Sequence, residues 1–316
     1  MSETITSPGV VLNENDQTFG TALPIEVGAA IIGPTVKGQV EIPTVCTTYQ
    51  DYVNKFGTTF ISGSQQYSYF TSISAYNYFE NGGTSLLVTR VTSGSFTPST
   101  SSFISGSDPL QGSVFTLETI SEGEIMNSDS AELSDGSLQL GTTDNLRWEI
   151  ISPNTSSGAF TLLIRRGNDD NISPVVLETW SNVSLDPFSS NYIEKVIGNQ
   201  KQILNTSGDD YYLELDGSYP NNSQYVRVKE VNLKTPNYLD NAGDPVSTYT
   251  SSIPVVGSGS FGGAVGSLVP STVGQYYQNI SSTNIQGLTG SDYDDVIQLL
   301  SNKDEYQFKY ITAPGL

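Results

Sequence analysis

Apolar and polar residues recur along this chain with two different periods, and the switches between them predict its organisation. Leu23 to Gly33 (LPIEVGAAIIG) is a run of small and β-branched residues bounded by Pro24 and Gly33-Pro34, which predicts a strand buried on both faces. Thr48 precedes Tyr49, Tyr52, Val53 and Phe56 at helical spacing, with Asp51 placed for a capping box and Gly57 as the stop. Ser68 to Asn81 repeats that logic and predicts a second helix with Tyr69, Ile73, Tyr76 and Phe79 along one buried stripe. Leu86 through Val91 closes the unit as another buried strand.

After Val91 the period changes. Thr92 to Asp108 (TSGSFTPSTSSFISGSD) has the composition of a linker. From Gly112 to about Val231 the chain reads as strands: VFTLETI, LRWEII, AFTLLIRR, PVVLETW, YYLEL and YVRVKEV, separated by turns such as Ser134-Asp135-Gly136-Ser137. Arg147 and Glu149 alternate with Trp148 and Ile150, and Tyr225, Arg227 and Lys229 with Val226 and Val228, the mark of half-buried antiparallel strands. One helix interrupts them, capped by Ser190, with Tyr192, Ile193, Val196 and Ile197 on one face and Gly198 at its end. Residues 232–272 read as a long irregular return. Ser291 and Asp294 then form a capping box ahead of a buried face of Val296, Ile297, Leu299 and Leu300, and Phe308 to Ala313 reads as one more buried strand. A strand that ends in Pro314-Gly315 needs an element to cover it, which predicts that this sequence is a piece of a longer protein.

Five blocks carry a resemblance. Ser7 to Val11 (SPGVV), VGAAIIGPTVKG, TTYQDYVNKFG, the aromatic helix ending FENGG, and SLLVTRV stand in the order and spacing of the N-terminal part of a contractile-phage tail sheath protein. Tyr306 to Leu316 (YQFKYITAPGL) resembles the strand and Pro-Gly turn that open the next sheath domain. The likeness covers roughly residues 1–92 and 270–316 and is loose between them. It implies a virion component assembled in the host cytoplasm. The implied partners are neighbouring copies in hexameric rings stacked as a helical tube, a tail tube protein, and baseplate and tail terminator proteins.

Composition narrows the alternatives. A chain of 316 residues, 36% hydrophobic, can bury two or three cores. A formal charge of −20 leaves no clustered Lys and Arg to meet phosphate, so neither nucleic-acid binding nor membrane insertion is expected. With no histidine in the chain, Ser-His-Asp and Cys-His sites are excluded, and so is the commonest zinc ligand. Cys46 in PTVCT reads as a buried, reduced thiol. The acid pairs Asp169-Asp170, Asp209-Asp210 and Asp294-Asp295 could flank a sugar or hold calcium, but they fall in turns and a first helical turn, where acids cap. GSGSFGG lacks the Lys of a phosphate loop and reads as a flexible loop. Arg165-Arg166 and Lys229 read as a solvated strand face; Tyr211-Tyr212 and Tyr276-Tyr277 are candidate surface contacts. No catalytic residue, metal or cofactor is expected.

The fold class is therefore expected to be a small α/β core with a large inserted antiparallel β domain, sandwich or barrel, and an extended N-terminal arm. The boundaries are 1–22 for the arm, 23–92 and 240–316 for the core, and 93–239 for an outward-facing insertion whose removal should spare assembly. The arm's own composition predicts a frayed terminus, whereas the resemblance implies a strand exchanged between subunits, with Pro8, Gly9, Val10, Val11 and Leu12 as its linking residues. Two functions compete: a non-enzymatic subunit of a contractile sheath, and a β-rich glycan-binding adhesin or virion-associated glycan-processing protein.

Overall fold

Strands that are apolar on both faces sit at the centre of a layered α/β unit. The computed structural model describes residues 24–62, 65–104, 112–126, 131–208, 210–267 and 288–315. The unit comprises β1 (Ile25–Gly33), β2 (Thr44–Cys46), α1 (Tyr49–Phe56), β3 (Thr59–Ser62), β4 (Gln65–Ser68), α2 (Phe70–Glu80) and β5 (Leu86–Arg90). From the far end of the chain, α4 (Asp294–Leu300) and β15 (Tyr306–Thr312) join it. β1 pairs in parallel with β5 and with β15, and β2 adds antiparallel to β5, giving the order β15-β1-β5-β2; β3 and β4 form a separate hairpin. Every residue of β5 is buried, as a central strand covered on both faces requires.

Two clusters cover those faces. On one, Tyr52 and Phe56 of α1 and Ala75 of α2 pack with Ala29, Ile31, Cys46, Leu86 and Val88. On the other, Val296, Leu299 and Leu300 of α4 pack with Val27, Ala30, Ile32 and Leu87. The α1 boundaries follow from its caps: the Asp51 N–H donates to Thr48 Oγ1 at 3.0 Å, the Thr47 N–H donates to Asp51 Oδ2 at 3.2 Å, and Gly57 takes φ +71°.

Three expectations for this unit need correction. Of the stripe predicted for α2, Tyr69 is buried and Phe79 half-buried, but the middle turns outward, with Ile73 and Tyr76 42% and 45% exposed, and the helix buries Thr71, Ser72 and Ala75 instead. The helix lies too close to β1 for larger groups, since even a Cβ on Gly33 would meet Thr71 Oγ1 at 2.5 Å. At α4 the capping box is Thr289 with Asp292, in a 3-10 turn that precedes the helix, and Ile297 faces out. β15 is an edge strand: Tyr306 is buried, but Tyr310 and Ile311 are exposed.

The β-rich part holds β6 (Pro98–Ile104), β7 (Ser113–Glu122), β8 (Leu146–Asn154), β9 (Ala159–Arg166), β10 (Val176–Ser184), α3 (Ile193–Ile197), β11 (Lys201–Ser207), β12 (Asp210–Asp216), β13 (Val226–Val231) and β14 (Gly257–Ser260). Two antiparallel sheets, β10-β9-β8-β14 and β13-β7-β6, share one hydrophobic cluster that includes Phe103, Phe115, Leu117, Phe160, Ile164 and Val228. The Phe103 and Phe115 rings stack at 4.3 Å, and each buried ring contributes roughly 2 kcal/mol. Among the described residues no sheet closes into a barrel. Two strands arise where the sequence reads as linker and loop. β6 lies in the Ser/Thr tract, and Gly257–Ser260 pairs with β8 at the start of the glycine run. α3 starts at Ile193 after Tyr192, without a side-chain cap from Ser190.

The hairpin β11–β12 belongs to this part by sequence, yet it reaches the other unit. Leu204, Tyr211 and Leu213 pack against the cluster that contains α4.

Candidate functional site

The acid pairs of the sequence come apart in the structure. Asp294 and Asp295 lie in the first turn of α4, where acids favour the helix dipole, and Asp209 lies outside the described residues. Asp170 Oδ1 accepts from the Ile172 and Ser173 N–H groups as a turn acid does. Asp169 is different, because its side chain is fully buried. Among the described residues no group of three His, Cys, Asp or Glu is placed to hold a metal ion, and no helix is long and apolar enough to cross a membrane. Cys46 is buried, and burial pushes its thiol up to about 12.

What surrounds Asp169 corrects the reading of Arg165 as solvated. Arg147 on β8 and Arg165 on β9 stand directly opposite in register, both buried. Two adjacent cations out of water need an anion between them. Asp169 supplies it, accepting from Arg165 Nε at 2.7 Å and from Arg147 at 3.4 Å. Glu149 and Glu132 each add a 2.8 Å contact, to Arg165 and Arg147 respectively, and the Val175 N–H donates to Asp169 at 2.8 Å. The network pins the turns at 131–141 and 167–173 onto the outer face of their sheet. Asp169 spends its carboxylate on Arg147, Arg165 and the Val175 N–H, so its role is structural. Of the other basic strand residues, Lys229 is exposed and Arg166 half-buried.

Another buried arginine joins the two units. Arg90, at the end of β5, donates to Gly38 O at 2.8 Å and to Glu122 O at 2.7 Å, with its guanidinium 5.1 Å from the Phe96 ring. Burial pulls Arg90 down to about 10, which leaves it charged at neutral pH. Glu122 ends β7, and its N–H donates to Gly38 O at 3.2 Å while its Oε2 accepts from the Val40 N–H at 3.0 Å. No local sequence signal marks this joint, because its partners lie far apart along the chain. Arg147 and Arg165 did leave a trace, since both alternate with apolar residues in strands that flank a single turn.

Burial pushes the Glu41 carboxyl above the ordinary value of 4.5, helped by Asp295 and Glu122. It does the same to Glu122, against the pull of the Val40 N–H, Lys201, Arg227 and Arg90. A carboxyl raised on folding holds its proton more tightly in the folded chain, so stability falls as pH rises from 4.5 through the raised values. Urea titrations over that range are expected to show a falling midpoint, with a shallower fall in Glu41→Gln and Glu122→Gln. An equal fall in all three would assign it to the general negative charge.

The remaining candidate surface is the outer edge of β15. The strand bonds to β1 along one side and has no strand on the other among the described residues, while Tyr310 and Ile311 stand 76% and 49% exposed. An open edge of this kind is a template for an added strand. The linking residues Pro8, Gly9, Val10, Val11 and Leu12, and the pair Tyr276-Tyr277, lie outside the described residues. Tyr211 packs inward on the α4 cluster and Tyr212 is 41% exposed.

The chain is thus a mixed, strand-rich protein with a layered α/β unit and several antiparallel sheets. No family model matches it, and no curated protein matches it. Among solved structures it is similar to a sheath tail protein from Listeria innocua, with a TM-score of 0.40 and 11% identity, covering 90% of this chain and 40% of that one. A sheath tail protein from Desulfitobacterium hafniense gives a TM-score of 0.25 and 11% identity, covering 71% of this chain and 39% of that one. The chain therefore spans about two fifths of the length of each.

Proposed function

We propose that this chain is part of a structural subunit of a contractile tail sheath, which polymerises as a helical tube around a tail tube and drives it through a host envelope by contracting. The observation that carries the reading is the open edge of β15, in a sheet whose β1, α1, α2 and β5 coincide with the sheath-like sequence blocks. On this reading, function lies in contacts between copies and not in a pocket. The arm of residues 1–22 joins one copy to the next by strand addition, through Pro8 to Leu12. Main-chain links of that kind survive while weaker side contacts are exchanged, which lets subunits move as rigid bodies. Neighbouring copies, the tube, the baseplate and the terminator are the partners, in the virion.

The test is negative-stain electron microscopy of the purified protein and of a variant lacking residues 1–22. Tubes or stacked rings are expected from the first; the second should give folded single particles by circular dichroism. Tubes that form equally well without the arm would remove its linking role. Single particles from the intact protein at high concentration would overturn the sheath reading and favour glycan binding.

A further inference from the structure

Next to the joint at Arg90 a cleft of about 500 Å³ lies between the two units. Val53 and Phe56 of α1 line one wall, and Ile120, Leu146, Leu177 and Tyr225 of the β-rich part line the other. Phe56 and Leu146 are already buried, but Val53, Ile120, Leu177 and Tyr225 keep part of their apolar surface open among polar neighbours, and closing the cleft would remove that part from water. Among the described residues one ion pair spans the gap: Lys37 Nζ lies 3.5 Å from Asp144 Oδ1, with the side chains 12% and 21% exposed. A single, partly exposed pair of this length is a weak strut and is screened by salt.

The segment that leads from Lys37 into the joint is also unusual in its backbone. Gly38 takes φ +114°, and a Cβ there would meet the Phe56 ring at 2.7 Å. Glu41 takes φ +61°, a left-handed conformation that non-glycine residues adopt only where the surroundings enforce it. Between them, Gly38 O and the Val40 N–H are the groups bonded by Arg90 and Glu122. Backbone held off its preferred angles where the β1–β2 connection meets the end of β7, with an unfilled cleft beside it, has the layout of a pivot between two bodies.

We propose that the β-rich part swings against the α/β unit about the Gly38–Glu41 segment, with the Arg90–Glu122 clasp as the pivot and Lys37–Asp144 as a releasable strut across the cleft. The clasp is buried and its bonds are short, so it holds through the motion; the strut is longer and partly open to solvent, so it breaks first. The proposal does not depend on the sheath reading.

The test measures the width of the cleft in the full chain. Cysteines placed at Asn54 and Gln224, both exposed and on opposite walls, accept spin labels, while the buried Cys46 stays unlabelled. Pulsed electron–electron distance measurements are expected to show a distribution that shifts and widens in Lys37→Ala. The same change is expected in the parent protein in about 1 M salt, where screening acts over roughly 3 Å. The swapped pair Lys37→Asp with Asp144→Lys should restore the original distribution. Should Lys37→Ala fail to fold, Asp144→Asn carries the same prediction. One narrow distribution, identical in all variants and at all salt concentrations, would overturn the hinge and make the two units a single rigid body.

Discussion

Replacing Asp169 by Ala is expected to cost about 3–5 kcal/mol of folding stability, a large part of what a domain possesses. The reason is the register of two strands. Arg147 and Arg165 face each other across β8 and β9, so the sheet sets two guanidinium groups side by side with almost no access to water. Asp169 accepts from both and from the Val175 N–H. Its removal leaves two buried cations with only Glu149 and Glu132 near the rim, and frees the turn at 167–173. Urea unfolding measures the loss; a change under about 1 kcal/mol would mean that the arginines find other acceptors. Replacing all three residues together, as Arg147→Met, Asp169→Leu and Arg165→Met, is expected to retain most of the stability, because apolar groups of similar volume need no partner. A triple variant as unstable as Asp169→Ala would instead place the strength in the hydrogen bonds to the turns.

That network marks the boundary of what the sequence makes legible. Periodicity located β1, α1, α2, β5 and six strands from VFTLETI to YVRVKEV, because each carries enough apolar residues to show a period; β11 (KQILNTS) does not and was missed. The Thr48 cap and the Gly57 stop of α1 were readable because both are local. β14 was not, since a strand of Gly and Ser has no side-chain pattern. Its reason to be glycine lies across the sheet, where a Cβ on Gly259 would meet the Trp148 indole at 2.7 Å. β6 hid in a Ser/Thr tract for the same reason. Helical spacing found the stripe of Ile73 and Tyr76 but could not say which side of α2 faces the sheet. Close packing against Gly33 decides that, and it favours the small residues. Alternation placed Arg147 on the outer face of its sheet, and Arg165 read as a solvated strand residue; what neither reading could show is that turns 131–141 and 167–173 fold back over that face and bury both.

Excising the hairpin, by joining Lys201 to Asp216 through a two-residue turn, is expected to destabilise the α/β unit and not the sheets it is connected to. These two residues are opposite each other in register, so the join leaves the flanking chain in place. Leu204, Tyr211 and Leu213 are the groups withdrawn from the cluster around Val296, Leu299 and Leu300. At roughly 1 kcal/mol for each half-buried side chain the loss is about 3 kcal/mol. Hydrogen exchange should report it as faster exchange of the α4 amides, with β8 and β9 unchanged; unaltered α4 protection would mean that the hairpin rests on the helix without supporting it. The same contact revises the expectation that residues 93–239 can be removed without harm. Cutting that block takes away the hairpin and also β8, the partner of β14, so the α4 cluster loses its apolar cover and β14 loses its sheet at once. The expected result is an insoluble chain, whereas a soluble chain that still forms tubes would show that the β-rich part is ornament after all.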